Sequence, residues 1–381
     1  MKIGIDIRTL MDRRYSGVSN YTLELVSELL RQDKVNQYKL YYNSGQDVSA
    51  RIPTFNFANA EVVTTRIPNK VFNYWLQKTL RRPLVDRLLD VDIFLMPHIN
   101  FVALSPQCKK IITIHDISFL RYHNFFSLRK NIWHKLIGVK KLLSSFDAIV
   151  AVSENTKRDL IELLNIPAEK IKVIYSGISS NFLSTAENTP AGEVKLKYQL
   201  PEKYFLFLGN LEPRKNIESV ILAYDQFIDQ YPQYRDYHLA LAGEKGWEYK
   251  SIFYLYDNAR HKDNIHLLGY VDEKDKRALY CEASIFIYPS FYEGFGFPVL
   301  EALICGAPVI TSTNSSLPEV AKNTAIMVNP FNINDIIVAI CQVLAVKNKT
   351  KDIDLSREEL KNKFNWVATA QKYRKLFTSL N

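Results

Sequence analysis

The chain has 381 residues, 47% apolar and 23% charged, with 13 Gly, 15 Pro and 49 Lys+Arg against 40 Asp+Glu, a net charge of +9. That length favours two or more domains, and the composition excludes a disordered, collagen-like or coiled-coil chain. The four cysteines (108, 281, 305, 341) fit no CxxC or Cys/His ligand spacing, so four buried thiols in a reducing cytosol are expected, not disulfides or a zinc site.

In chain order, short apolar runs alternate with amphipathic stretches, the signature of βα units around a parallel sheet. In the first half the pattern predicts strands at Lys2–Ile7, Tyr38–Tyr42, Ile93–Met96, Lys110–Ile114, Ala148–Val152 and Lys172–Ile174. Helices are predicted there at Asn20–Arg31, Val71–Leu89, Arg129–Phe146 and Glu154–Leu164. Residues 181–195, rich in Ser, Thr, Asn, Gly and Pro, read as a linker. Beyond them, strands are predicted at Tyr204–Leu208, His238–Ala242, Ile265–Leu268, Ile285–Tyr288, Pro308–Thr311 and Ala325–Val328. The helices of that half fall at Asn216–Gln230, Tyr249–Arg260, Asp272–Ala283, Pro298–Cys305 and Asp335–Leu344. The fold class is therefore α/β: two doubly wound, Rossmann-like domains facing each other across a cleft, where ligands of open α/β sheets bind. The first domain covers 1–182 and the second 196–365, with 183–195 between them. No run of 18 apolar residues and no signal-peptide pattern is present, so a soluble, cytoplasmic protein is expected.

The densest cluster of functional residue types is Ser290-Phe-Tyr-Glu293-Gly294-Phe295-Gly296-Phe297-Pro298-Val-Leu-Glu301. A strand runs into a glycine-containing loop and then a helix with Pro in its first turn. Loop amides and a helix N-terminus favour an anion such as a diphosphate, and Gly294 and Gly296 allow close backbone approach. Glu301, one turn into the helix, suits two ribose hydroxyls; Glu293, on the loop, suits a sugar beyond the phosphates. Either glutamate alone also fits a plain complement to the helix dipole. A second cluster, Gly209-Asn210-Leu-Glu212-Pro213-Arg214-Lys215-Asn216, presents two adjacent cations after a strand. They suit phosphate oxygens, or merely a solvated loop tip. Earlier, Ser16-Gly17 stands at a phosphate-loop position, and His115-Asp116 ends a strand, as a catalyst or as a core histidine.

Taken together, these residues resemble the family-four retaining glycosyltransferases of the GT-B fold. The resemblance runs through Gly17, His115-Asp116, Ala151-Val-Ser153-Glu154, Val173-Ile-Tyr175-Ser176-Gly177, Leu211-Glu-Pro-Arg-Lys-Asn216 and Gly269-Tyr-Val271. It continues with Glu293 and Glu301 as a Glu-x7-Glu pair, Leu317-Pro-Glu-Val320, and Phe364-Asn-Trp366 with Tyr373. It implies that the second domain holds a nucleotide-diphosphate sugar and the first an acceptor, with the last helix, 366–381, crossing back to the first domain. On that resemblance, Arg214 and Lys215 neutralise the diphosphate, and Glu301 holds the ribose. Glu293 and the Gly294–Phe297 amides place the donor sugar, His115 reaches it, and Gly17 lets its loop approach the phosphates. No metal or cofactor is implied. The polysaccharide-type variant of the motif points to GDP-mannose, with a UDP-sugar as the other donor, in cell-surface polysaccharide or lipopolysaccharide synthesis. Asn210 and Ser16 depart from the family, which more often has Arg and Gly there.

The charge is uneven: residues 1–185 hold 26 Lys+Arg and 16 Asp+Glu, a net of +10, and the remainder 23 against 24, a net of −1. Cations interleave with aromatics at 70–87 and 121–141, an arrangement suited to an anionic membrane surface and a lipid-linked glycan acceptor. A solvated basic face with its aromatics turned inward is the other reading, and no nucleic-acid module accompanies it. Two rival functions remain: another enzyme on this fold, such as a nucleotide-sugar epimerase or a phosphorylase-like enzyme, and a non-catalytic nucleotide-sugar-binding module.

Overall fold

The computed structural model describes residues 1–68, 83–122, 137–184, 188–345 and 352–380. The chain divides into two compact units, one of 1–117, 129–177 and 364–381, the other of 118–128 and 178–363.

In the first unit, the described residues form a seven-stranded parallel sheet. Its strands are β1 (Lys2–Asp6), β2 (Gln37–Asn43), β3 (Ala60–Thr65), β4 (Ile93–Met96), β5 (Lys109–Ile114), β6 (Ala148–Ala151) and β7 (Ile171–Val173). Their spatial order is 3-2-1-4-5-6-7, so the direction of winding reverses between β1 and β4. The apolar runs IFLM of β4 and AIVA of β6 are buried throughout, as expected where helices cover both faces of a parallel sheet. The sequence pattern misses β3. As an edge strand with Glu61 and Thr64 exposed, it lacks the apolar run that marks a central strand.

The helix Gly17–Gln32 starts three residues before the predicted Asn20, because the Ser16 side chain caps it by accepting the Ser19 amide at 3.3 Å. Of the predicted helices Val71–Leu89 and Arg129–Phe146, the described parts are Val85–Leu89 and Val139–Ser144. Residues 69–82 and 123–136, with most of the basic and aromatic positions, lie outside the described residues. The helix Trp366–Leu380 completes this unit: Tyr373 Oη lies 2.7 Å from Tyr21 Oη and 2.6 Å from Thr113 Oγ1, all buried. Gly177 explains itself here, since a Cβ would fall 2.4 Å from the Trp366 nitrogen.

The described residues of the second unit form a six-stranded parallel sheet. It comprises β8 (Lys203–Leu208), β9 (Tyr237–Ala242), β10 (Ile265–Gly269), β11 (Ile285–Tyr288), β12 (Val309–Ser312) and β13 (Ile326–Val328). The order 10-9-8-11-12-13 places the reversal between β8 and β11. Phe207, Tyr288 and Phe286 stack there, with ring centroids 5.5 and 5.6 Å apart. The stretch read as a linker runs into a helix, Ala191–Lys197, anchored at buried Asp275, which accepts from Thr189, Lys197 and Tyr198. Among the described residues, no helix is long and apolar enough to cross a membrane. Of the four thiols only Cys108 is buried; the other three are half-buried, which corrects the expectation of four buried thiols.

Candidate functional site

The reversal between β8 and β11 brings two loops side by side, and each contributes charge. After β8 the chain turns through Pro213–Lys215 into the helix Ile217–Gln230. Asn216 joins the two with φ of 58°, a left-handed conformation that Asn tolerates better than most residues. Its side-chain amide donates to the carbonyls of Pro289 at 3.1 Å and Pro330 at 2.7 Å, fixing the first loop to the segments that follow β11 and β13.

Glu293, on the loop after β11, is buried at the centre of the cluster. Its Oε2 accepts from Arg214 at 3.0 Å, and its Oε1 from Lys215 at 2.6 Å, Ser290 at 2.9 Å and Tyr288 at 3.0 Å. Arg214 also donates to the Tyr292 carbonyl and, at 2.9 Å, to Glu212. Lys215 donates to the Tyr288 hydroxyl as well, with its ammonium 5.1 Å from that ring's centre. Burial pushes the Glu293 carboxyl up, but Arg214, Lys215 and the hydrogen bonds from Lys215 and Ser290 outweigh it and hold the pKa at about 2. Burial lowers Lys215 despite Glu293, and raises Glu212 despite Arg214. Two carboxylates therefore meet two cations. An ammonium has three donors, and Tyr288 and Glu293 take two of those on Lys215.

A third loop, after β12, braces the second. Glu293 donates its amide to Ser315 Oγ at 3.1 Å, and buried Ser316 donates to the carbonyls of Glu293 at 2.9 Å and Phe295 at 2.8 Å. Thr311 and Ser312 donate in the same way to the carbonyls of Tyr288 and Ser290. Gly294 and Phe295 are buried, and Gly296 caps the helix Phe297–Cys305 with φ of 104°. A Cβ at Gly296 would fall 2.8 Å from Leu317, so glycine is required there on both counts. Pro298 stands in the first turn, where its missing N–H costs no helical bond. Phe297 is the first helical residue, its ring 4.9 Å from that of Phe295.

Glu301 belongs to a different group. It is half-buried on that same helix and accepts from Tyr280 at 2.9 Å, with Lys276 and Glu273 beside it. Burial raises its pKa to about 7 against the pull of Lys276.

His115 and Gly17 sit in the first unit. His115 directly follows β5, half-buried, and its Nε2 lies 2.8 Å from the Pro97 carbonyl. A carbonyl only accepts, so Nε2 carries the proton and Nδ1 is the acceptor. Burial lowers the pKa of this imidazole. Tyr21 meets the ring edge-on at 4.6 Å and comes from the helix that Gly17 opens, as an exposed first residue instead of part of a loop. The ten residues singled out in the sequence thus fall into three groups: Arg214, Lys215 and Glu293 with its loop; Glu301 with Tyr280; and His115 with the Gly17 helix. The sequence motifs gave no role to Glu212, Tyr288, Ser290, Ser315 or Ser316. Their common signal is position: each ends, or closely follows, β8, β11 or β12 at the same edge of the sheet.

Comparison with known proteins agrees with this architecture. Residues 15–182 match the family described as Glycosyltransferase Family 4, and residues 192–359 match Glycosyl transferases group 1. The chain is 32% identical to O-antigen chain mannosyltransferase B of Escherichia coli over 86% of this chain and 87% of that one. It is 28% identical to O-antigen chain mannosyltransferase RfbU of Salmonella typhimurium, over 74% and 77% of the two chains. Among solved structures, sucrose-phosphate synthase from Thermosynechococcus elongatus superposes with a TM-score of 0.75 at 20% identity, over 99% of both chains. Anabaena Alr3699/HepE in complex with UDP and glucose gives 0.72 at 18% identity, over 100% of both.

Proposed function

The chain belongs to the glycosyltransferases of group 1 and family 4, and from that premise we propose that it moves a hexose from a nucleotide-diphosphate sugar to a glycan or lipid-linked glycan, with retention and without a divalent metal. GDP-mannose is the favoured donor, supported by the two mannosyltransferase relatives, and a UDP-sugar is the second. The observation that carries the reading is the buried meeting of Arg214 and Lys215 with Glu293 at the strand-order reversal.

In this reading the donor diphosphate exchanges places with part of the Glu293 carboxylate on Arg214 and Lys215. The amides leading into Phe297–Cys305 add the positive end of a helix. Glu301 accepts two ribose hydroxyls, and Glu293, freed in part from the cations, turns to the sugar hydroxyls with the Gly294–Phe297 amides. The bond from the anomeric carbon to the phosphate oxygen breaks, and the acceptor oxygen bonds to that carbon on the same face. The departing phosphate oxygen takes the acceptor's proton. Charge on the leaving group is then stabilised by preorganised groups already in place, the form of catalysis that costs least reorganisation. A double displacement would need a carboxylate nucleophile about 5–5.5 Å from a partner acid; neither Glu293, tied to two cations, nor Glu301 is suited to that role. His115 contributes from the first unit as a neutral imidazole toward the sugar. The basic and aromatic stretches 70–87 and 121–141 provide a peripheral contact with an anionic membrane on its cytoplasmic face.

The test is release of nucleoside diphosphate from GDP-, UDP- and ADP-sugars, with and without a mannose-bearing acceptor, in chelator, with the product's anomeric configuration read by NMR. Acceptor-dependent release of GDP and an α-linked product are expected. Release without acceptor points to an epimerase, cleavage of the glycan by inorganic phosphate without nucleotide release to a phosphorylase-like enzyme, and tight binding without release to a non-catalytic module.

A further inference from the structure

Two phenylalanines adjoin the loop of Arg214 and Lys215, and the transfer step uses neither. Phe331 follows β13 and is 70% exposed; among the described residues no other phenylalanine is as open to solvent. Its ring is nonetheless held. It stacks on the ring of Phe291, after β11, with centroids 4.9 Å apart and planes 30° from parallel. Phe291 is half-buried; its amide donates to the Arg214 carbonyl at 2.9 Å, and its carbonyl accepts from the Asn314 side chain at 2.7 Å. Pro330, one residue before Phe331, accepts from Asn216. The aromatic pair is therefore continuous with the loop that carries both cations.

The turn that presents Phe331 has its own hydrogen bonds. The Asn329 side chain accepts the Phe331 amide at 3.1 Å, and the Asn329 carbonyl accepts the Asn332 amide at 3.0 Å. Asp335, in the first turn of the helix Ile333–Ala345, accepts from the Asn329 amide at 3.3 Å and the Asn332 side chain at 2.7 Å. A phenylalanine scattered on a surface needs no such frame. Asn329 and Asn332 are exposed on either side of it in the chain, and Asn332 spends one of its two amide hydrogens on Asp335. Residues 329–335 contain no Lys or Arg, and the Asp335 carboxylate is committed to the turn. The patch thus offers a flat apolar ring and neutral amides, which suit an uncharged ligand with an apolar face and a polar edge.

We propose that Phe331, backed by Phe291 and flanked by Asn329 and Asn332, is a stacking subsite for a neutral pyranose ring of the glycan acceptor. The inference rests on the transferase reading and adds a place where the acceptor chain is gripped. A pyranose carries C–H bonds on its faces and hydroxyls around its edge. One face lies on the Phe331 ring, and the hydroxyls meet the amides, the mixture of aromatic surface and a few polar groups that ligand sites use. Because the ring and its turn are already in place, little ordering is left to oppose binding. The lack of cations in 329–335 sets the patch apart from a phosphate site or a contact with anionic lipid.

The experiment titrates the whole protein with an α-linked mannotetraose in the presence of GDP, by calorimetry and saturation-transfer NMR, for the wild type, Phe331→Ala and Phe331→Trp. Glycan affinity should fall about tenfold in Phe331→Ala, the worth of one aromatic contact, and stay near wild type in Phe331→Trp. Affinity for GDP, titrated alone, should be the same in all three. The proposal is overturned if Phe331→Ala binds the glycan as the wild type does, if the wild type binds none, or if Phe331→Trp loses as much as Phe331→Ala. It is equally overturned if the loss falls on GDP, which would make the ring a support for the nucleotide. Binding is read without turnover, so a wild-type protein that binds the glycan but releases no GDP from GDP-mannose counts against the transferase reading alone.

Discussion

Both sheets reverse their strand order beside their first strand, and both carry buried charge there, yet the charge is assembled differently. In the first unit Asp6 and Arg8 pair across a single strand end, two residues apart. Arg8 Nε lies 3.0 Å from both carboxylate oxygens, and a further guanidinium bond goes to the Phe101 carbonyl. His98 stands 4.0 Å from Asp6, and burial lowers its pKa to about 4 in spite of that carboxylate. In the second unit Lys215 and Glu293 are 78 residues apart and come from opposite sides of the reversal. The first pair is local and forms with its strand. The second exists only once β8 and β11 lie side by side. Buried charge at the same topological position thus serves a strand end in one unit and, in the function proposed above, a ligand in the other.

The sharpest way to break that distinction is Glu293→Ala. The sequence alone suggests loss of transfer with the fold intact. The structure adds a stability cost of about 3–5 kcal/mol, because Arg214 and Lys215 stay buried without their carboxylate. Urea denaturation and a transfer assay should both show the loss, and unchanged stability would contradict the cluster as described. Asp6→Asn should lower stability by up to about 3 kcal/mol on the same argument, with nucleotide affinity within about twofold of wild type. Calorimetric titration that showed weakened nucleotide binding in this variant would erase the difference between the units. Lys215→Met should weaken nucleoside diphosphate binding about 10- to 100-fold, the worth of one hydrogen bond to a charged group.

A gentler probe is pH. With its pKa at about 7, Glu301 passes from mostly protonated at pH 6 to mostly ionised at pH 8. Nucleotide affinity should rise about tenfold over that range and lose the dependence in Glu301→Gln. The stability signs are opposite for the two glutamates. Glu301 binds more protons folded than unfolded, so its contribution falls as pH rises from 4.5 to about 7. Glu293 binds fewer, so its contribution is complete above 4.5 and lost as pH falls toward about 2. The smallest effect belongs to Tyr373→Phe, which removes one member of the buried hydroxyl set with Tyr21 and Thr113, at a cost of about 1 kcal/mol. Tyr21 packs on His115, so turnover should drop while the donor KM stays put; equal changes in both would deny the C-terminal helix a part in placing the imidazole.

Central strands such as Ile93–Met96 and Ile285–Tyr288 were legible because a sheet covered on both faces demands uninterrupted apolar runs. The edge strand Ala60–Thr65 was not, since water on its open side leaves no such demand. Arg214, Lys215, Glu293 and Glu301 were legible as residue types placed after strands. That Glu293 neutralises both cations was not, because adjacency across the reversal depends on strand order, which no local pattern encodes. Gly17 was misplaced for a local reason, the cap supplied by Ser16. The bracing serines 315 and 316 escaped notice because serine in a loop has too many ordinary uses.

The helix Trp366–Leu380 has a consequence for synthesis of the chain. The first unit begins the sequence, yet its buried Tyr21 and Thr113 hydroxyls wait for Tyr373, which the ribosome adds only after all of 178–363. The second unit is continuous from 178 to 363 apart from the short segment 118–128, so it has nearly all of its own chain in hand sooner. Domains commonly fold in the order in which they emerge. Here the order for completion is inverted, and a nascent chain stalled before residue 364 would expose an unfinished first unit beside a nearly finished second.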